Sequence, residues 1–372
     1  MVGTVLITGG GGFIGSHLAD ELLASGHHVR LLDNLDPQVH GADGAWPAYL
    51  ADAVEATAGD IRDPEAVQAA LRGVDAVVHL ASMVGVGQSM YQVSDYVAVN
   101  DLGTAILLQA LIERPVERLV LASSMSIYGE GLYRDRRGRP VENAARRAEQ
   151  LGRGVWDIRD ADGVPLEPLP TPEWKRPSLT SIYALSKYSQ EQMCLLIGRA
   201  YAMPTVALRF FNVFGPRQAL SNPYTGVLAI FAARLLNGRP PMIFEDGLQR
   251  RDFVDVRDVA RACRLALTSP RAPGHAINVG SGESRSVREV ADRLAEVLGR
   301  PDLVAEISGR SRAGDIRHCF ANLGQARELL DFAPAVGFED GLSVLAEWLA
   351  SQIAVDRIEH ATRELAARGL VA

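Results

Sequence analysis

Thr4-Val-Leu-Ile-Thr8 runs directly into Gly9-Gly10-Gly11-Gly12-Phe13-Ile14-Gly15, and a helical pattern opens at once over Phe13–Ala24. A short apolar run bounded by turn residues predicts a buried strand. Glycines at 9, 12 and 15 allow a tight turn and close backbone approach, and a helix starting there aims its N–H groups at a pyrophosphate. The next strand candidate, Val29–Asp33, ends in an acid. A carboxylate at that point accepts hydrogen bonds from an adenosine ribose and repels a 2′-phosphate, which favours NAD over NADP. Strand, loop, helix, strand and acid in this order are far more specific than glycines alone. The expected cofactor contacts of this unit are Gly9, Gly12, Phe13, Ile14, Gly15, Asp33 and Asn34.

Outward from this unit the alternation continues. Val54–Gly59, Ala76–Leu80, Leu119–Ser123 and Thr205–Phe210 read as strands, with helical patterns over Pro64–Leu71, Thr104–Ile112 and Ile182–Tyr201. Val-, Ile- and Leu-rich strands alternating with helices predict an α/β fold whose doubly wound parallel sheet, of Rossmann type, is covered on both faces. The NAD-binding domain is expected over 1–210, with 252–270 returning to it. A smaller mixed α/β substrate domain is expected from 211–251 and 271–372. The charged, Gly- and Pro-rich stretch 129–174 breaks the rhythm and reads as an insertion at the rim of the site: a lid, an oligomer contact or a solvated loop. Asp60 and Ile61, just beyond the third strand candidate, are either adenine neighbours or a strand-end turn.

Tyr183 and Lys187 stand at i and i+4 in SIYALSKYSQE, on one face of a helix. A tyrosine working as a base near neutrality needs its pKa brought down from about 10 to about 7, roughly 4 kcal/mol of preferential stabilisation of the phenolate. A fixed ammonium and the positive ring of NAD+ can supply it. Nine tyrosines and two lysines (Lys175 and Lys187) in 372 residues give about 0.05 chance occurrences of this spacing, so the pair is the strongest chemical signal in the chain. Ser124 ends the fifth strand candidate, where ligands of such sheets sit, and can hydrogen-bond the oxygen that loses its proton.

The formal net charge of −7 argues against a general nucleic-acid binder. Cys194, Cys263 and Cys319 are widely spaced, which predicts neither a disulfide framework nor a metal site. No apolar run approaches the ~20 residues of a membrane span, and MVGTVLITGG lacks a signal-peptide pattern. A cytoplasmic protein without membrane partners is expected.

With these elements in place the chain resembles the extended short-chain dehydrogenase/reductase family, specifically its NAD-dependent nucleotide-sugar epimerases and dehydratases. The resemblance spans TGGGGFIGS (8–16), DNL (33–35), GDIRD (59–63), HLAS (79–82), SSMSIYG (123–129), YALSK (183–187), RFFNVFGPR (209–217), RRDFVDVRDVA (250–260), NVGSGE (278–283) and RAGDIR (312–317). It implies Tyr183 as base, Lys187 as its electrostatic partner and cofactor anchor, and Ser124 as third member. It adds Asp60, Ile61, Leu80, Ala81, Ser82 and Asn100 to the cofactor's neighbours, and assigns Asn212, Arg251 and Arg312 to the diphosphate of a dTDP- or UDP-sugar. Arginine suits that task because it grips phosphate bidentately.

The implied reaction is 4-epimerisation through a transient 4-keto sugar. Related dehydratases carry Asp-Glu after the Ser/Thr; Met125 and Ser126 stand here and cannot do carboxylate work. Glu245 occupies a position where relatives usually have glycine. DNLDPQVHG (33–41), VGVGQSMY (84–91) and RQALSNPYTGV (217–227) are most similar to dTDP-L-rhamnose 4-epimerases, with UDP-glucose or UDP-glucuronate 4-epimerases as the alternative. A dehydratase, or a non-catalytic NAD sensor, is the remoter reading. The family further implies a homodimer.

Overall fold

A computed structural model describes residues 3–222, 224, 226–312, 314–352, 356 and 358–371. Pro223 and Thr225 of the 217–227 motif and Ala313 of the 312–317 motif lie outside them.

The central sheet is parallel and seven-stranded. Its strands are β1 (Thr4–Thr8), β2 (His28–Asp33), β3 (Glu55–Ala58), β4 (Ala76–His79), β5 (Arg118–Ser124), β6 (Thr205–Phe210) and β7 (Ala276–Val279), in the order β7-β6-β5-β4-β1-β2-β3. Val5, Leu6 and Ile7 are fully buried in consecutive positions, so β1 is covered on both faces, as its unbroken apolar run requires. The helices used below are α1 (Phe13–Ala24), α2 (Pro64–Ala70), α3 (Gly103–Glu113), α4 (Ile182–Ala200), α5 (Val227–Leu236), α6 (Val256–Thr268), α7 (Val287–Val297), α8 (Phe338–Leu349) and α9 (Ile358–Ala367). The strand order reverses between β1 and β4, and the crevice beyond their carboxyl ends is where such sheets bind ligands.

α6 packs on the sheet side, burying Val259, Ala262, Cys263 and Ala266 with Leu18 and Leu22 of α1. The return does not stop at residue 270, because β7 pairs with β6 from Ala276–Ala207 to Val279–Phe210 and forms the sheet's edge. The smaller core is built by α5, α7 and α8 around Phe231, Leu294 and Leu342.

The 129–174 insertion is ordered chain. Leu132–Arg134, Pro140–Val141 and Glu167–Leu169 form an antiparallel three-stranded sheet. Tyr133, Ala144, Ile158 and Leu166 are buried beneath it. One helical run, Val93–Glu113, is long and apolar enough to cross a membrane by length and composition, contrary to the sequence reading. Yet 44% of its 18-residue window is packed inside the fold. The run includes a π-helical stretch, Val97–Leu102.

Candidate active site

A single cleft of about 910 Å³ crosses the carboxyl ends of β1, β4 and β5. Gly9, Gly12, Phe13, Ile14, Gly15, Asp33, Asn34, Ile61, Leu80, Ala81, Ser82, Ser124, Tyr183, Lys187, Asn212, Arg251 and Arg312 all line it. The sequence scatters these residues over 300 positions; the topology brings them to one place.

The glycine loop fits a dinucleotide. Gly9 has φ +70°, and a Cβ there would lie 2.7 Å from the Ala81 nitrogen. A Cβ on Gly15 would lie 2.5 Å from the Gly9 carbonyl oxygen, so only glycine lets α1 start this close to β1. The α1 N-cap, Gly12, offers no side-chain cap, and the first turn holds no acid. Its free N–H groups and positive dipole end therefore face the cleft unneutralised. Asp33 Oδ2 accepts from the Gly11 amide and Oδ1 from the Leu35 amide, both at 2.9 Å. His40 Nε2 stands 3.5 Å from the same carboxylate. His40 escaped the sequence reading, since a lone histidine seven residues past Asp33 carries no motif.

Two expected cofactor neighbours do not line the cleft. Asp60 is engaged by the Arg62 guanidinium at 2.9 and 2.6 Å, which holds its carboxyl below the usual range. Asn100 is fully buried behind the cleft. It accepts from the Met83 amide at 2.8 Å and the Ser82 hydroxyl at 3.1 Å, and donates to the Met83 carbonyl and Ser186 Oγ. It shapes the loop that does line the cleft.

Tyr183 and Lys187 project from the first turns of α4, which begins where Ser181 caps the Ala184 amide at 3.1 Å. Ser124 closes β5, and its hydroxyl lies near enough to the Tyr183 phenol to favour the phenolate. Ser124 Oγ accepts from Ser126 Oγ at 2.9 Å and from the Ser126 amide at 3.2 Å. Its own hydroxyl proton is thereby left for the phenol oxygen. The sequence predicts a phenol lowered beside an ammonium. In the structure burial pushes the Tyr183 phenol up, with the Ser124 hydrogen bond pulling against it. The Lys187 ammonium is committed elsewhere, donating to the Ala122 carbonyl at 2.8 Å and to Gln190 Oε1 at 3.0 Å, and burial pulls it down to about 7.

Behind the lysine runs a buried chain that the sequence did not reveal. Gln190 Nε2 donates to Thr104 Oγ1 at 2.7 Å, and Thr104 donates to the Asn100 carbonyl. Thr104 Oγ1 must then accept from His79 Nε2 at 2.9 Å, leaving His79 Nδ1 as acceptor for Thr8 Oγ1 at 2.7 Å. Burial and the Lys187 charge lower His79 to about 3, so it stays neutral in this tautomer. The chain links Lys187 to the last residue of β1.

A family model described as "NAD dependent epimerase/dehydratase family" matches residues 5–146 and 165–280. The chain belongs to that family. Its break lies inside the insertion. A curated relative, the dTDP-L-rhamnose 4-epimerase of Burkholderia thailandensis, is 32% identical over 94% of this chain and 95% of its own length. The UDP-glucose 4-epimerase of Azospirillum brasilense is also 32% identical, over 91% and 89%. Among solved structures, Thermus thermophilus UDP-glucose 4-epimerase in complex with NAD has a TM-score of 0.73 at 32% identity, covering 94% of this chain and 100% of that one.

In this epimerase/dehydratase chain the far end of the cleft holds polar groups without partners. Asn212 Oδ1, Gln218 Oε1 and Gln249 Oε1 are buried with no hydrogen bond, and all three residues line the cleft. Such atoms cost roughly 1–3 kcal/mol each unless something meets them. Arg251 donates to the Ile316 carbonyl at 2.6 Å and the Arg317 carbonyl at 3.0 Å. Arg312 forks onto Asp315 at 2.9 and 3.2 Å and stacks over Phe244. The last wall comes from α9 and its tail: Ile358, Ala361, Thr362, Leu365 and Leu370. Leu365 lies against Gly87, and Val371 bridges to Arg312.

Proposed function

We propose that this chain is a nucleotide-sugar 4-epimerase that inverts C4 of a dTDP-linked 6-deoxyhexose, dTDP-L-rhamnose first among them. The observation that carries the reading is the meeting of Ser124, Tyr183 and Lys187 with Asn212, Arg251 and Arg312 in one cleft. Ser124 donates to the Tyr183 oxygen and so favours the phenolate, which takes the proton from the sugar O4 and later returns it. Lys187, anchored by Ala122 and Gln190, holds a cofactor ribose. Gly9, Gly12, Phe13, Ile14 and Gly15 cradle the pyrophosphate, and Asp33 takes the adenosine ribose. NAD+, when bound, would supply the hydride acceptor and donor for C4 and a positive charge that favours the phenolate. Arg251, Arg312 and Asn212 grip the diphosphate while the keto sugar turns over.

Two features favour this substrate class. Met125 and Ser126 lack the carboxylates of a dehydratase. Tyr96 packs its ring edge-on to Tyr183 at 6.4 Å and donates to the Val84 carbonyl, and Val84 and Val86 line the same cleft, which supports an apolar surface near the sugar. A methyl group is at home there; a uronate carboxylate without a counter-charge is not. The similarity to UDP-glucose 4-epimerases at the same identity keeps UDP-hexoses as the second reading. Incubation with dTDP- and UDP-sugars, with product stereochemistry read by NMR, decides: turnover of UDP-glucose but not dTDP-L-rhamnose overturns the first reading.

We further propose a cytoplasmic homodimer. Val93, Val97 and Leu102 on one helical run, and Leu185 and Leu196 on α4, are 42–55% exposed. Leu185 and Leu196 are eleven residues apart and share a helix face. Three buried thiols without disulfides suit a reducing compartment.

A further inference from the structure

Glu245 sits in a backbone conformation that a side chain resists. Its φ is +56° and its side chain is 1% exposed. Such a residue persists only when its surroundings hold it. Its carboxylate is held by Arg146, which comes from the insertion, and by Arg317 Nη1 at 3.2 Å. Arg146 itself is 4% exposed and also donates to the Asp315 carbonyl at 2.7 Å. Glu130 accepts from the Arg317 and His318 amides at 2.7 and 3.2 Å, and the Glu245 amide donates to the Arg310 carbonyl at 2.8 Å. The chain around Arg312 is thus fixed at Arg310, Asp315, Arg317 and His318.

We propose that Arg146 and Glu245 form a strut through which the insertion sets the two arginines for the diphosphate. Neither lines the cleft, so both are positioning residues. The connection is short. Asp315, whose carbonyl Arg146 holds, is the carboxylate onto which Arg312 forks. The Ile316 and Arg317 carbonyls that follow it are the acceptors for Arg251. Displacing this stretch moves both guanidinium groups at once. The inference rests on the reading of Arg251 and Arg312 as diphosphate ligands.

Glu245→Gly separates positioning from support of the fold, because glycine relieves the left-handed backbone while removing the strut. The expected result is a roughly tenfold rise in KM for the sugar nucleotide and in Kd for dTDP and UDP by calorimetry. kcat should stay within about twofold, with NAD affinity unchanged. Arg146→Gln should do the same, and Arg146→Lys should recover part of the loss. Arg312→Ala serves as reference. If it leaves dTDP and UDP affinity untouched, the diphosphate reading fails. If it weakens them while Glu245→Gly and Arg146→Gln do not, the strut alone is overturned. Loss of melting temperature and NAD binding together in both strut variants also overturns it, since the network then merely supports the fold.

Discussion

Ser126 Oγ donates to Ser124 Oγ across 2.9 Å, at the position where a dehydratase carries a carboxylate. By filling an acceptor site on Ser124, this contact leaves the Ser124 proton free to turn toward Tyr183. Ser124→Ala should lower kcat about a hundredfold, within the range for a lost group in proton transfer. Ser126→Ala should cost only a few-fold and leave KM alone, because the Ser126 amide still donates to Ser124. Steady-state kinetics on dTDP-L-rhamnose would show both; equal losses would refute this division of labour.

Tyr183→Phe should reduce kcat at least a thousandfold with NAD affinity retained, because the ring still packs against Tyr96. Since burial raises the phenol and its deprotonated form is the active one, kcat/KM should climb with pH on the acid side. A flat profile between pH 6 and 9 would remove the phenol as the titrating base.

Asp33 gives a cofactor prediction. Its carboxylate fixes the glycine loop through Gly11 and lines the cleft. Asp33→Asn should weaken NAD roughly tenfold, about 1.4 kcal/mol. The loss for NADP should be smaller, because repulsion of the 2′-phosphate is removed too. Fluorescence titration with both dinucleotides measures the ratio; an unchanged preference would show that discrimination lies elsewhere.

Two buried histidines predict acid sensitivity. His79 and His318 are each held at about 3 in the fold, chiefly by burial, against about 6.5 in an unfolded chain. Between these values the unfolded state binds more protons, so stability falls as pH drops below about 6.5, by up to about 1.4 kcal/mol per pH unit for each histidine. Asp252, pushed up to about 6 by burial, opposes this trend below its own titration. His79→Gln should therefore show a smaller drop in melting temperature from pH 7 to pH 5 than the parent protein. Parallel curves would sink the assignment.

The sheet and the glycine loop were legible because parallel strands buried on both faces read as continuous apolar runs. β7 was missed: Ala276–Val279 is four residues long and follows the Pro- and Gly-containing stretch 269–275. The insertion's strands are only two or three residues long, so no period-2 signal emerges. The site residues found from sequence sit in dense motifs. Gln190, Thr104 and His79 act through contacts between distant strands and helices, and spacing along the chain cannot show that. Asn100 and Asp60 are expected beside the cofactor, yet their side chains turn to Met83 and Arg62.

The wall that α9 adds to the cleft lies beyond residue 280, where the match to the family model ends. Proteins identical at every signature residue can therefore differ in the sugars they accept. Sorting such enzymes by substrate calls for comparing their tails, where Leu365 faces Gly87, rather than the glycine loop or the tyrosine helix.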